Sequence, residues 1–325
     1  MTKQTNIIQL NHLGWNKTQD GKTFFAPYDI DDEGLDFELK KNVKHLCPGG
    51  LHDLLQEKGD SNEWKKCYLN LRAKNNIAFK FATAASFAAP MFTQNGDLSA
   101  FVCNIYGEAT QTAKAILRAS ASIWNDPDWF VLCPKYLKNK DAKDFASSMS
   151  NIPIMFAEYF PGELSISDME TIFFYRCTGD RVGTEILQSK NKIGTNFVWT
   201  SWFSRLLQCR CDKEWSEIMR VDANRTFSMN CGFAGKEFIS ILKKYNLEDL
   251  ERKAWKYGQE INNIAMPKGK FQEHGIFPGM LLLADELSEK YIFKDGIRLT
   301  KEELAECYED AKHVEMQVEK RDSMF

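Results

Sequence analysis

Apolar and polar positions fall into distinct patterns along the chain. Up to about residue 75, short apolar runs alternate with turn chemistry at Asn16 to Gly21, Asp31-Asp32-Glu33-Gly34 and Cys47-Pro48-Gly49-Gly50. This predicts short strands and loops, with one helix near Leu51 to Glu57. From Asn75 to Phe92 the run NNIAFKFATAASFAAPMF is Ala-rich and apolar nearly all round. It predicts a helix buried on most sides, with Pro90 near its end. Leu98 to Tyr106, LSAFVCNIY, reads as a strand buried on both faces. Gly107 then opens a turn, and from Thr112 the residues Ile116, Leu117, Ala121 and Trp124 recur at helical spacing. A second buried strand, Ile152 to Phe156, ends in Ala157-Glu158-Tyr159, and the intervening stretch from Lys135 to Met149 is charged and helix-compatible. Strand, helix, helix, strand is the alternation of an α/β fold with a mostly parallel sheet.

Beyond Phe160 the patterns shorten. A helix is expected over Ser167 to Arg176, and turns at Thr178-Gly179-Asp180 and Lys192-Ile193-Gly194 bracket a short strand. Asn196 to Phe203 is aromatic enough to be another strand. Three amphipathic helices follow, at Lys236 to Tyr245, Glu248 to Asn263 and Phe277 to Lys290. After a turn at Asp295-Gly296, Thr300-Lys301-Glu302-Glu303 has the form of a capping box opening a last helix. The expected layout is a β-rich module over residues 1–75, an α/β core over 76–235 and a helical region over 236–325.

Composition narrows the function classes. The 325 residues carry 42 Lys+Arg against 45 Asp+Glu, so no strongly basic face blankets nucleic-acid phosphates. The first residues lack a basic start followed by an unbroken apolar stretch, and the longest apolar run, Ile77 to Phe92, is interrupted by Lys80 and Thr83. We therefore expect a cytoplasmic protein without membrane passage. Nine Cys without pairwise rhythm read as buried free thiols. Only Cys209-Arg210-Cys211 is close-spaced, and a single intervening residue is not zinc-knuckle spacing, so no metal site is expected.

The most informative segment is the glycine turn. A phosphate-binding loop is Gly, four residues, Gly, Lys, Ser/Thr between a buried strand and a helix: backbone N–H groups curl around phosphates, Lys neutralises them and the hydroxyl holds magnesium. Here the loop reads Gly107-Glu108-Ala109-Thr110-Gln111-Thr112-Ala113-Lys114. Thr112 stands at the second glycine, Ala113 at the lysine and Lys114 at the hydroxyl position. On the second buried strand Ala157 stands at the metal-binding place, leaving Glu158 as a remnant carboxylate. Losing the lysine and the hydroxyl removes charge neutralisation and metal, the terms on which phosphoryl transfer depends most.

Taken with these motifs, several segments come in a familiar order: Gly14-Trp15, Phe24-Phe25-Ala26-Pro27, Glu63-Trp64-Lys65, Ala89-Pro90, Ser122-Ile123-Trp124-Asn125-Asp126-Pro127, Tyr175 to Arg181, and Ala284-Asp285-Glu286-Leu287. Over roughly Gly14 to Ala311 the sequence resembles the phage- and plasmid-borne P-loop family described as superfamily II helicases and inactivated derivatives, found in mobile-element replication proteins. The resemblance implies a P-loop NTPase-like (AAA+/helicase-like) core. Active members have the full loop and an Asp-Glu pair on the acidic strand, so the fold carries over and the ATPase activity does not. Family members often carry a primase-like module before this core or a DNA-binding module after it, and neither is expected here.

Other groups remain candidates for contacts. Arg176, Arg181, Arg205, Arg210, Arg220 and Arg225 are possible arginine fingers or phosphate contacts, although Arg176 to Arg225 holds nine basic and six acidic residues, only a mild excess. A solvated or salt-bridged surface is the plainer reading. Phe197, Trp199, Trp202 and Phe203, interleaved with Lys190 and Lys192, have the composition of a base-stacking strip and equally of a core strand. From Glu248 onward, 17 acidic residues outnumber 12 basic ones, which favours a protein partner over DNA. The leading expectation is a catalytically inactive helicase-like protein of a phage or mobile element, acting in a bacterial cytoplasm through protein binding or self-association, without a cofactor. The alternatives are a divergent ATPase or helicase using ATP and magnesium through Lys114 and Glu158, and a non-hydrolysing DNA-binding protein.

Overall fold

The computed structural model describes residues 7–18, 20–32, 36–39, 55–92, 100–132, 148–159, 183–190, 206–265 and 276–307. Near the N-terminus β1 (Ile7–Leu10) pairs in parallel with β4 (Asp36–Leu39), and β2 (Gly14–Lys17) pairs antiparallel with β3 (Thr23–Ala26). A short helix, α1 (Tyr28–Asp32), follows β3. Within the second pair Trp15 meets Phe25 edge-on at 5.0 Å, and its indole N–H ties β2 to the rest of the molecule by donating to the Pro90 carbonyl at 2.8 Å. Among the described residues a second helix in this stretch is α2 (Ser61–Arg72), capped by Asp60, and lies C-terminal to the expected segment. Residues 51–54 are outside the described residues, while Leu55 to Lys58 form a turn and a bridge to Cys231.

The Ala-rich run is helical, as its composition predicts. α3 (Ile77–Ala88) is capped by the Asn76 side chain and ends in a 3-10 turn, Ala89–Met91, that contains Pro90. After it come β5 (Ala100–Tyr106), α4 (Thr110–Ala121), α5 (Pro127–Phe130), β6 (Val131–Leu132), β7 (Ile154–Tyr159), β8 (Gly183–Ser189) and β9 (Leu206–Arg210). The strands from β5 onward form one parallel sheet in the order β6-β7-β8-β5-β9. The chain therefore leaves β5 toward one side of the sheet and crosses back past it to reach β9. Such a reversal leaves a crevice at the carboxyl ends of the strands, where open α/β sheets bind ligands.

β9 begins three residues beyond the expected aromatic strand, and residues 196–203 lie outside the described set, as do 135–147 and 167–176. α3 and α4 pack on each other and on the sheet, α3 touching β5, β8 and β9 and α4 touching β5 to β8. Two indoles lock this layer: Trp64 donates to Ser122 Oγ and Trp124 to Ser86 Oγ, each at 2.9 Å. Both indoles belong to segments that carry the family resemblance, and here they serve packing.

The C-terminal helices are α6 (Glu217–Met229), α7 (Phe233–Leu242), α8 (Leu247–Ala265), α9 (Ile276–Ser288), whose last turn widens into a π-turn at Glu289–Phe293, and α10 (301–307). α8 and α9 cross closely at small residues: a Cβ on Gly279 would come within 2.0 Å of the Ala254 carbonyl and 2.5 Å of the Gly258 nitrogen. The capping box at α10 is reciprocal, Glu303 N–H donating to Thr300 Oγ1 and Thr300 N–H to Glu303 Oε2. α9 packs on α3, and the segment that follows α9 is pinned to α2 and α3 by buried charge. Arg72 donates to Asp295 through Nε and Nη2 at 2.7 and 3.1 Å, and its guanidinium lies 4.2 Å from the Phe293 ring centre. Lys80, the one charged residue of α3, reaches both Glu303 oxygens and the Arg298 carbonyl. No helix among the described residues is long and apolar enough to cross a membrane.

Candidate functional site

The site is the junction of β5 and α4. Phe101, Cys103 and Ile105 alternate with Val102 and Asn104, and all are buried. A strand with both faces covered is what a parallel sheet requires. The polar member of that run has partners on both neighbouring strands: Ser189 Oγ donates to Asn104 Oδ1 at 2.9 Å, and Asn104 Nδ2 donates to Gln208 Oε1 at 3.1 Å. This ladder binds the ends of β8, β5 and β9 beneath the crevice. Sequence reading does not single these residues out, and the available signal is a lone Asn inside an apolar strand, which must be satisfied if buried.

Above the ladder only Gly107 to Ala109 separate strand from helix. α4 begins at Thr110, so Thr112, Ala113 and Lys114 already belong to its first turns. A phosphate cradle needs backbone N–H groups directed at the ligand, but here three of those in the turn are spent on the chain's own carbonyls. Gly107 N–H donates to the Lys190 carbonyl at 3.2 Å, Ala109 N–H to the Cys211 carbonyl at 3.1 Å, and Thr110 N–H to the Glu108 carbonyl at 2.8 Å. The segment after β9 lies across the turn, Cys211 N–H returning a bond to the Tyr106 carbonyl at 2.7 Å. Gly107 has φ +135°, and a Cβ there would come within 2.5 Å of the Cys211 carbonyl oxygen and 2.8 Å of Asp212 Oδ1. The glycine is thus required by close packing of this chain's own backbone.

An anion does sit on the first turn of α4, and the chain itself supplies it. Buried Thr112 donates its hydroxyl to Glu214 Oε2 at 2.7 Å and accepts the Trp215 N–H at 2.8 Å. Arg220 Nη1 reaches the same Glu214 oxygen at 3.2 Å. The helix N-terminus favours negative charge there, and Arg220 neutralises it from outside. Among the residues singled out from sequence, Gly107, Thr112, Ala113, Lys114 and Arg220 therefore converge on one place. Ala113 is buried and Lys114 half-buried on α4. Lys190 directly follows β8 beside the turn and is exposed. Arg210 ends β9 and pairs with Asp212 at 2.7 Å, while Arg225 lies exposed on α6.

Glu158 lies on β7, next to Tyr159, which pairs with Ser189 of β8, and Ser189 pairs in turn with Tyr106 of β5. It is therefore at the same carboxyl edge, separated from the glycine turn by one strand. Arg176, Arg181, Lys192 and Arg205 lie outside the described residues. The thiols around the site are inert: burial pushes Cys211 up to about 12, and Cys103 well above the usual thiol range. Among the described residues no group of His, Cys, Asp and Glu side chains is arranged to hold a metal ion.

Comparisons with known proteins agree with this architecture. Residues 2–152 match a family model described as "Domain of unknown function (DUF927)", covering the N-terminal strands, α2 to α5 and the glycine turn. No curated protein matches the chain. Among solved structures, one described as "SCCmec type IV Cch - active helicase" superposes with a TM-score of 0.66 at 11% sequence identity, over 94% of this chain. The chain spans 60% of the length of that structure. The fold is therefore helicase-like, an α/β core around a parallel sheet.

Proposed function

We propose that this chain is a helicase-like protein of a phage or other mobile element that has lost nucleotide hydrolysis and works by binding a protein partner. It would serve as a replication accessory factor or as an inhibitor of a host defence system, in a bacterial cytoplasm. The observation that carries the reading is the closed glycine turn, where Gly107 and Ala109 spend their N–H groups on Lys190 and Cys211 and Glu214 stands on the first turn of α4. A triphosphate brought there would meet the Glu214 carboxylate and Glu108, with Ala113 in place of the lysine that should neutralise it. Like charges brought together in this way disfavour binding by several kcal/mol. The domain layout set out from the sequence, with a P-loop NTPase-like core over 76–235, belongs to the same proposal.

Calorimetric titration with ATP and magnesium tests it. No binding at millimolar nucleotide is expected for the wild type. Glu214→Ala, which empties the anion position, should not restore hydrolysis, because no lysine or magnesium-holding hydroxyl stands in the loop. Micromolar binding, or turnover abolished by Glu158→Gln, would instead establish the divergent-ATPase reading, which the likeness to an active helicase favours. Binding to single- and double-stranded DNA over a salt series separates the third reading, since DNA binding carried by phosphate contacts weakens steeply with salt.

A further inference from the structure

α6 carries apolar residues on two opposite faces. Its inward face buries Ala223 and Phe227. Its outward face presents Ile218 at 82%, Val221 at 59% and Met229 at 56% exposure, in line with exposed Asp222 and Arg225. Scattered exposed apolar residues are ordinary, but three on one stripe of a single helix are not. The neighbouring helix α5 adds Trp129, 55% exposed, and is tied to α6 by Arg118, which bonds both Asp128 and Ser228.

The order of residues along the stripe identifies what covers it. Ile218 and Met229 lie at its ends, with Asp222 and Arg225 at the same distance on either side of its midpoint. Two copies of α6 laid antiparallel about a two-fold axis through that midpoint bring Ile218 against the partner copy's Met229 position, and Asp222 against its Arg225 position, twice over. Neither Asp222 nor Arg225 has an ion pair among the described residues, so both are available. A surface that is complementary to itself in charge and in apolar ends is what an isologous dimer requires, and a partner of uniform charge would oppose one of the two central residues.

We propose that this protein forms a two-fold dimer through the outward face of α6, with Ile218 and Met229 as apolar anchors, Trp129 at the rim and two reciprocal Asp222 to Arg225 ion pairs. The dimer names one partner within the protein-binding reading. The stripe uses none of the groups that close the glycine turn, which are Glu214, Thr112 and Arg220, so it can fail while the absence of nucleotide binding stands, and the reverse.

Sedimentation velocity of the full chain over a concentration series tests it. The wild type should sediment as a dimer at micromolar concentration. Asp222→Arg and Arg225→Asp singly create like-charge contacts across the axis and should each weaken dimerisation by about tenfold or more. The double charge swap restores opposite charges and should return the constant to about the wild-type value, an effect that a merely damaged helix cannot produce. Ile218→Glu should leave a folded monomer, with its helical circular dichroism unchanged because the side chain is 82% exposed in the monomer. A wild type that stays monomeric, a dimer that tolerates Ile218→Glu, or single charge variants that the double swap does not rescue would each overturn the proposal.

Discussion

The glycine turn and the C-terminal helical layer handle charge in opposite ways. At the turn, the charged groups are partly exposed: the Glu214 and Arg220 side chains retain 46% and 23% of their surface. The structure there is closed by backbone bonds and by a glycine with no room for a Cβ. Where the helical layer meets α2 and α3 the cations are sealed, Arg72 and Lys80 showing no more than 1% exposure and pairing with Asp295 and Glu303. A partly exposed ion pair contributes little stability and leaves its neighbourhood adaptable. A buried one holds elements in register because neither partner can be removed cheaply. The glycine turn is thus closed mainly by main-chain packing, while specific charges fix how the outer helices sit on the rest of the molecule.

Breaking the sealed side should produce the largest effect. Arg72→Ala deletes the partner of Asp295, uncovers the Phe293 ring and leaves Asp285, whose Oδ1 lies 4.0 Å from Arg72 Nη1, without a nearby cation on that side. A loss of about 3–5 kcal/mol is expected in chemical unfolding, the cost of leaving a buried charge uncompensated. A loss under about 1 kcal/mol would mean that the helical layer is not held by this network.

On the closed-turn side, Gly107→Ala sharpens the comparison from the other direction. An open phosphate cradle leaves space above its glycines, so the substitution would cost only backbone strain. Here the new Cβ would come within 2.5 Å of the Cys211 carbonyl at a φ of +135°. Strain and displacement together should cost roughly 2–3 kcal/mol, measured by thermal unfolding. The same variant should loosen the segment after β9, seen as faster hydrogen exchange at the Cys211 amide, which bonds the Tyr106 carbonyl.

Much of this contrast is legible in the sequence, but unevenly. The helix over residues 77–88, the strand before Gly107, the strand ending in Glu158 and the capping box at Thr300 follow from local pattern, because each has a single dominant period or cap. α6 escapes such a reading because its apolar residues face both the core and the solvent, so no one-sided stripe exists to be read. β9 escapes it because Asn196 to Phe203, just before it, is richer in aromatic residues. The glycine turn is visible as a strand, Gly107 and a helix whose residues depart from the phosphate-binding pattern. Its plug is not, since Glu214 meets Thr112 from 102 positions away along the chain, and no local rule joins them. Arg220 reads from sequence as a contact for a partner, while the structure commits it to Glu214.

A third measurement separates the two regions by pH. Asp285 lies in the sealed layer, accepting the Leu299 N–H at 2.7 Å, and burial raises its carboxyl to about 6 against the attraction of Arg72, Lys80 and Arg298. A raised carboxylate pKa means that the folded state holds the proton more tightly than the unfolded chain, whose value stays near 3.8. The group's contribution to stability therefore grows as pH falls from about 7 toward 4. Asp285→Asn removes the titration while keeping the shape of the side chain. The stability of this variant relative to wild type should consequently decline between pH 8 and pH 5, by roughly 1.4 kcal/mol. Carboxylates held below their usual range elsewhere, such as Glu286 and Asp128, destabilise both proteins equally on acidification and cancel in the difference. A difference independent of pH would show that burial does not raise the Asp285 carboxyl.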